Sequence, residues 1–176
     1  MNSLKCLFVL ISITQLIIAI LLYQSNAQSF YQGGKNALPP DIEIRQINIV
    51  DEDSRLKLTK LDNRNIWYVN DEQQTFADNN KVEQLLNEIV NMQLQLPITA
   101  AHNDFARLRL DDNQFNKKVS VQSKTGQEYI FYVGDAVGFN RAYLRFSNQR
   151  QAFNQGIDLA LLNADKRFWL HQAITS

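Results

Sequence analysis

Along much of this chain apolar and polar positions alternate, and at two places they fall instead into helical spacing. Ile42 and Ile44, then after a phase shift Ile47 and Ile49, are separated by polar neighbours, as in a half-buried strand. Leu56 and Leu58 continue the alternation, and Asp62-Asn63-Arg64-Asn65 supplies turn chemistry before Ile66-Trp67-Tyr68-Val69. Two or three antiparallel strands follow from this. The period then changes: Val82, Leu85, Leu86 and Ile89 stand at i, i+3, i+4 and i+7, behind Asp78 at an N-cap position, with Glu83, Asn87 and Glu88 on the opposite side. This predicts an amphipathic helix laid on a sheet, its segment closed by Pro97.

Strand grammar returns in the second half. Val119 and Val121 alternate, Lys124-Thr125-Gly126-Gln127 reads as a hairpin turn, and Tyr129 to Val133 is apolar on both faces, which marks a central strand covered on both sides. In Arg141-Ala142-Tyr143-Leu144-Arg145-Phe146 the apolar residues share one face, and Arg141, Tyr143 and Arg145 the other. A last helix is expected over Ile157 to Ala164, with Phe168-Trp169-Leu170 packing the terminus down. Strand runs, a helix, strand runs and a helix predict an α+β domain over residues 41–176 with antiparallel sheet.

Ahead of that domain, Cys6 to Tyr23 is an eighteen-residue stretch without a charge. As a helix it spans about 27 Å, enough for the hydrocarbon layer of a bilayer. Lys5 precedes it and the next basic residue is Lys35, so the positive-inside bias keeps the N-terminus cytoplasmic and exports everything after Tyr23. Residues 1–23 are thus expected to form an inner-membrane anchor, and residues 24–40, with Gly33-Gly34 and Pro39-Pro40, a flexible tether. Ser25-Asn26-Ala27 before Gln28 is also an acceptable cleavage site, which would release a soluble periplasmic module. A pilin-like segment is excluded, because processing there follows a Gly placed before the apolar run, and the first Gly here is Gly33.

Charge narrows the partners. The chain carries 18 Lys and Arg against 18 Asp and Glu, without the basic excess that binding through phosphate neutralisation requires, so no nucleic-acid partner is expected. The balance hides a division: residues 41–96 hold six bases and eleven acids, residues 97–176 ten bases and seven acids. Such a dipolar domain suits docking between charged protein surfaces.

The order of features resembles a known family. A membrane segment precedes a Leu-rich strand pair ending in Asn65-Ile66-Trp67-Tyr68-Val69. Phe76-Ala77-Asp78 then leads into Lys81-Val82-Glu83-Gln84-Leu85-Leu86, followed by the Gly126 hairpin, Tyr129-Ile-Phe-Tyr-Val-Gly134 and Arg141-Ala-Tyr143-Leu-Arg145. Over residues 41–170 this is similar to the domain of unknown function of auxiliary periplasmic components associated with gliding-motility-type ABC transporters. The resemblance implies a non-enzymatic envelope protein attached to a transporter; relatives often repeat the domain, and this chain holds one copy. It carries no catalytic residues over.

Little in the chain offers chemistry of its own. One Cys, at position 6, forms neither an internal disulfide nor a thiolate zinc site. His102 and His171 are the sole imidazoles, and there is no G-x-S-x-G elbow to deliver a nucleophile to them. Asp51-Glu52-Asp53 and Asp111-Asp112 lack the alternating oxygen ligands and central Gly of a calcium loop and read as turn residues. No cofactor, metal or catalytic residue is therefore expected, and a hydrolase is a distant third reading. Trp67 and Trp169 are expected in the core rather than on a ligand. The candidate partner-binding residues are Arg141, Tyr143 and Arg145, with Arg107, Arg109, Lys117 and Lys118 expected nearby; the competing expectation is that these cations are spent on internal ion pairs.

Overall fold

The computed structural model describes residues 13–16, 34–61, 64–69, 75–98 and 104–170. Contacts divide the chain into two units, Met1–Gln32 and Gly33–Ser176. In the first, residues 13–16 are helical. Among the described residues no helix is long and apolar enough to cross a membrane; the expected span over residues 6–23 lies mostly outside them, as do Cys6, His102 and His171.

The second unit is built on an eight-stranded antiparallel sheet. Its strands are β2 (Ile44–Val50), β3 (Arg55–Lys60), β4 (Trp67–Val69), β6 (Pro97–Ile98), β7 (Lys117–Ser123), β8 (Glu128–Gly138), β9 (Arg141–Phe146) and β10 (Ala152–Gly156). Their spatial order is β4-β3-β2-β7-β8-β9-β10-β6. A separate pair joins β1 (Lys35–Asn36) to β5 (Gln93–Leu94). Among the described residues three helices complete the unit: α1 (Asn79–Val90), α2 (Asp104–Arg107) and α3 (Lys166–Trp169).

Alternation along each strand, carried across the pairings, sorts side chains onto two faces. Opposite partners such as Ile47↔Leu58, Ile47↔Val121, Val119↔Phe131, Val133↔Leu144 and Leu144↔Phe153 line up on one face. All of these side chains are buried. On α1, Val82, Leu85 and Ile89 are fully buried, each contributing about 1.5–3 kcal/mol through apolar burial. The helix and residues 157–170 cover this face. Asp78 caps α1 by accepting from the Asn80 N–H, and its own N–H donates to the Trp169 carbonyl, which ties the helix start to the chain's end. Trp67 and Trp169 both lie in this core, and the Trp169 indole donates to the Asn163 carbonyl at 2.8 Å.

Several boundaries differ from expectation. α1 stops at Val90, seven residues before Pro97, with Asn91 donating back to Asn87 and Ile89; Pro97 sits in edge strand β6, where its missing N–H costs no ladder bond. The helix expected over Ile157 to Ala164 is replaced by turns: Asp158 and Leu159 accept from Leu161 and Leu162 in i to i+3 bonds, and one helical turn forms only at Lys166–Trp169. Residues 34–40 of the expected tether are tied into the fold, because β1 pairs with β5 and Leu38 is buried.

The opposite face is divided in two. Over β8–β10, residues 104–116 fold back as a cap that buries Phe105, Leu108 and Leu110 with Tyr132 and Ala152, against Ile98, Ile130, Phe115 and Tyr143. Gly134 permits the close approach of this cap. A Cβ there would lie 1.9 Å from the Leu108 carbonyl oxygen, which accepts from the Asp135 N–H at 3.3 Å. Over β4, β3 and β2 the same face carries polar, half-buried side chains.

Candidate functional site

Arg141, Tyr143 and Arg145 do share a face of β9, the one that looks toward the cap, and there they are used internally. Arg145 is 5% exposed. Its guanidinium carbon lies 4.7 Å from the Tyr132 ring centroid and 5.0 Å from that of Phe105. Nε donates to the Leu110 carbonyl at 2.8 Å, and Nη2 binds the Asp112 carboxylate. A planar cation between two rings with its donors on the cap backbone pins residues 105–112 to the sheet. Arg141 donates through Nε to the Asn154 side chain and through Nη2 to the Asn154 carbonyl and Gln95, joining β9 to β10 and to the segment before β6. Tyr143 packs on the cap cluster.

The cations expected nearby are also engaged. Arg107 pairs with Asp104 at 3.4 Å, Lys117 with Asp51 at 3.5 Å, and the Lys118 ammonium lies 5.8 Å from the Tyr132 centroid. Arg109 adopts φ 54° where the cap turns back toward Leu110. The acidic clusters act in turns: Asp51 accepts from the Asp53 and Ser54 N–H groups, and Asp111 from that of Asn113. Among the described residues no group of three or more His, Cys, Asp or Glu is placed to hold a metal ion.

The accessible recess lies elsewhere, at the end of the sheet where β2 begins, β3 ends and the β7–β8 turn projects. Here the register between Ile44 and Gln46 slips, so that Ile44 faces Ser123 and Gln46 faces Gln122. The bulge takes Arg45 out of strict alternation, and it lines two adjoining clefts. One, about 310 Å³, is bordered by Glu43, Arg45, Lys60, Arg64, Asn65 and Lys124. The other, about 320 Å³, has for its floor a row across four strands, Tyr68, Thr59, Gln46 and Gln122, each paired to the next. A third recess of about 410 Å³ adjoins them and is lined by Pro39, Pro40, Ile42, Tyr129 and the β7–β8 turn.

The electrostatics of this end are those of a cation-rich rim. Lys124 bonds Glu43 at 2.9 Å, and that bond, with the Lys124 charge, holds the Glu43 carboxyl below the usual carboxylate range. Glu43 is therefore ionised and matched, and among the described residues Lys60 and Arg64 add further positive charge to the lining. Within the row, the Thr59 hydroxyl is itself buried and makes no hydrogen bond. Under the cap the logic reverses: burial, then the Asp112 charge, push the Tyr132 phenol up. At the C-terminal turn, hydrogen bonds from Arg167 hold Asp165 down.

The strands that carry Gln46, Thr59, Tyr68 and Gln122 were legible in the sequence from their apolar positions, but the alignment of these four into one row depends on register, which pattern alone does not give. The one local signal was the phase shift between Ile44 and Ile47.

No curated protein and no solved structure matches the chain. A family model does, over residues 67–175. It begins in β4, so the match takes in Tyr68, Gln122 and Lys124 of the recess, while Arg45, Gln46, Thr59 and Lys60 precede it. Because the match extends over more than half of the sequence, the chain belongs to the family described as a domain of unknown function, DUF4340.

Proposed function

We propose that this protein is a membrane-tethered domain of the bacterial envelope that acts as a non-catalytic accessory subunit, binding a partner or ligand for an ABC-type transport system. The observation that carries the reading is the make-up of the two polar clefts: among the described residues they offer cations and amides on a sheet, and their carboxylate, Glu43, is held ionised by Lys124 and so is a poor general acid and a weak base. The uncharged stretch from Cys6 to Tyr23 supports an inner-membrane, single-pass placement with the domain outside the cytoplasm. The expected partner-binding trio moves with this reading. Arg141 and Arg145 hold the fold, and the binding surface shifts to Arg45, Lys60, Arg64 and their neighbours.

Affinity capture of the full chain in mild detergent tests the proposal. Recovery of a permease or ATPase subunit is the expected result; repeated recovery of the protein alone counts against the transporter association. Ser25-Asn26-Ala27 favours a second reading, a periplasmic ligand-binding module released after Ala27, and an N-terminus starting at Gln28 would establish that form.

A further inference from the structure

We infer that the recess binds an anionic sugar, its hydroxyls on Tyr68, Gln46 and Gln122 of the row and its carboxylate or phosphate at the rim formed by Lys60 and Arg64. The inference rests on the reading of the domain as a non-catalytic binding subunit, and it names the ligand class.

Two features converge on this chemistry. The floor offers two carboxamides and a phenol aligned across neighbouring strands, with Asn48 in contact with Gln46 at 3.4 Å and the Thr59 hydroxyl buried between them. A carboxamide donates and accepts from one planar group, which matches the paired hydroxyls of a sugar ring; an apolar ligand would leave these groups without partners. The rim adds charge complementarity, since among the described residues Lys60 and Arg64 line the adjoining cleft and its acid, Glu43, is already matched by Lys124. Lys60 lines both clefts, so a ligand spanning them meets the row and the charge together.

An acidic peptide fits less well. Extended peptides are usually captured by strand addition, but the outer edge of β4 is already occupied: Val69 donates to the Thr75 carbonyl at 2.8 Å and Ala77 to that of Trp67 at 2.9 Å. Further along the exposed face Lys57, Asn48 and Arg55 are polar, and the apolar recess of Pro39, Pro40, Ile42 and Tyr129 lies beyond the other end of the row, away from the β4 edge.

Calorimetric titration of the detergent-solubilised full chain tests this with five probes: trigalacturonate, mannose 6-phosphate, neutral maltotriose, inorganic phosphate and hexaglutamate. Either anionic sugar is expected to bind more tightly than maltotriose and than inorganic phosphate. Lys60→Ser combined with Arg64→Ser is expected to weaken that binding by about tenfold or more, and Gln122→Ala by a few-fold, while Arg150→Ser, outside the lining, leaves it unchanged. Near-UV circular dichroism checks that each variant is folded. The inference is overturned if phosphate binds as tightly as the sugars, if maltotriose does, if hexaglutamate exceeds both, or if no probe binds. A chain that captures a membrane partner but no sugar refutes this inference alone; one that binds the sugar but recovers no partner refutes the transporter association alone.

Discussion

The two halves of one sheet face contrast sharply, although alternation builds both in the same way. Over β8–β10 a cation and a tyrosine are sealed beneath residues 104–116; over β4, β3 and β2 cations and a tyrosine remain at the surface. Arg145 and Lys57 each sit on a strand with apolar neighbours on the other face, yet one is 5% exposed and stacked between rings and the other stands exposed beside Asn48. What separates them is whether a connection long enough to cover the face follows. The link from β6 to β7 folds back as the cap, whereas the short turns joining β2 to β3 and β3 to β4 do not. Structural use of a cation therefore follows from topology, and its availability for a ligand follows from the absence of a lid.

The strongest way to break this contrast is to lift the cap. Gly134→Ala places a methyl 1.9 Å from the Leu108 carbonyl, so cap backbone rather than a flexible side chain must give way. Chemical denaturation is expected to show a loss of ~3 kcal/mol, with near-UV signals of Tyr132 changing. A variant as stable as the parent would mean that residues 104–116 do not clamp β8 at this point.

Next in size is a matched pair of substitutions. Arg145→Met leaves the Leu110 carbonyl and Asp112 without their donor and is expected to cost about 2–3 kcal/mol; Arg145→Lys recovers only part, since an ammonium reproduces neither the stacking nor the fork. On the open half, Lys57→Ser is expected to fall within about 0.5 kcal/mol of the parent. Equal losses at the two positions would erase the distinction between the halves.

These positions also mark how far the sequence could be read. The α1 stripe and its Asp78 cap were legible because helical period and N-cap chemistry are local, and Val82, Leu85 and Ile89 are buried as expected. Tyr129 to Val133 read as a doubly covered strand, and it is one: Phe131 and Val133 face the α1 side while Ile130 and Tyr132 lie under the cap. The phase shift between Ile44 and Ile47 coincides with the β2 bulge. The cap itself was missed. Residues 104–116 hold only one helical turn, and their order comes from contacts such as Arg145 to Leu110, thirty-five residues apart in sequence. Strand β10 escaped for a related reason, since Ala152–Gly156 is short and ends in Gly, and its partner β9 supplies the ladder. Arg141 and Arg145 were singled out correctly as sharing a face; what covers that face is a tertiary fact.

At alkaline pH the covered half should lose stability through one buried phenol. Burial first, and then the Asp112 charge, raise the Tyr132 phenol above its ordinary value of 10.0. The folded state then holds this proton more tightly than the unfolded chain, so the contribution is fully present below the ordinary value and is lost as pH rises through the folded one. Denaturation midpoints measured from pH 8 upward are expected to fall more steeply for the parent than for Tyr132→Phe. Parallel curves would show that Tyr132 ionises as freely as a surface tyrosine.

The smallest effect belongs to the open half and runs in the opposite direction. Glu43 is held down chiefly by its hydrogen bond to Lys124, then by the Lys124 charge, so its stabilising contribution is present above the ordinary carboxyl value of 4.5 and is lost as pH falls through the depressed one. Both partners are about 70% exposed, so water and salt screen the pair, and the change in unfolding midpoint should be slight. Carbon-13 titration of the Glu43 carboxyl resolves what denaturation would not. A midpoint below the ordinary value at low salt is expected, moving back toward it in half-molar salt and in Lys124→Ser. Tyr132, beneath the cap, should respond much less to the same salt, because ions do not enter the space between Phe105 and the sheet. If Glu43 proves as insensitive to salt as Tyr132, the rim is not open to solvent and an anionic ligand has no route to Lys60 and Arg64.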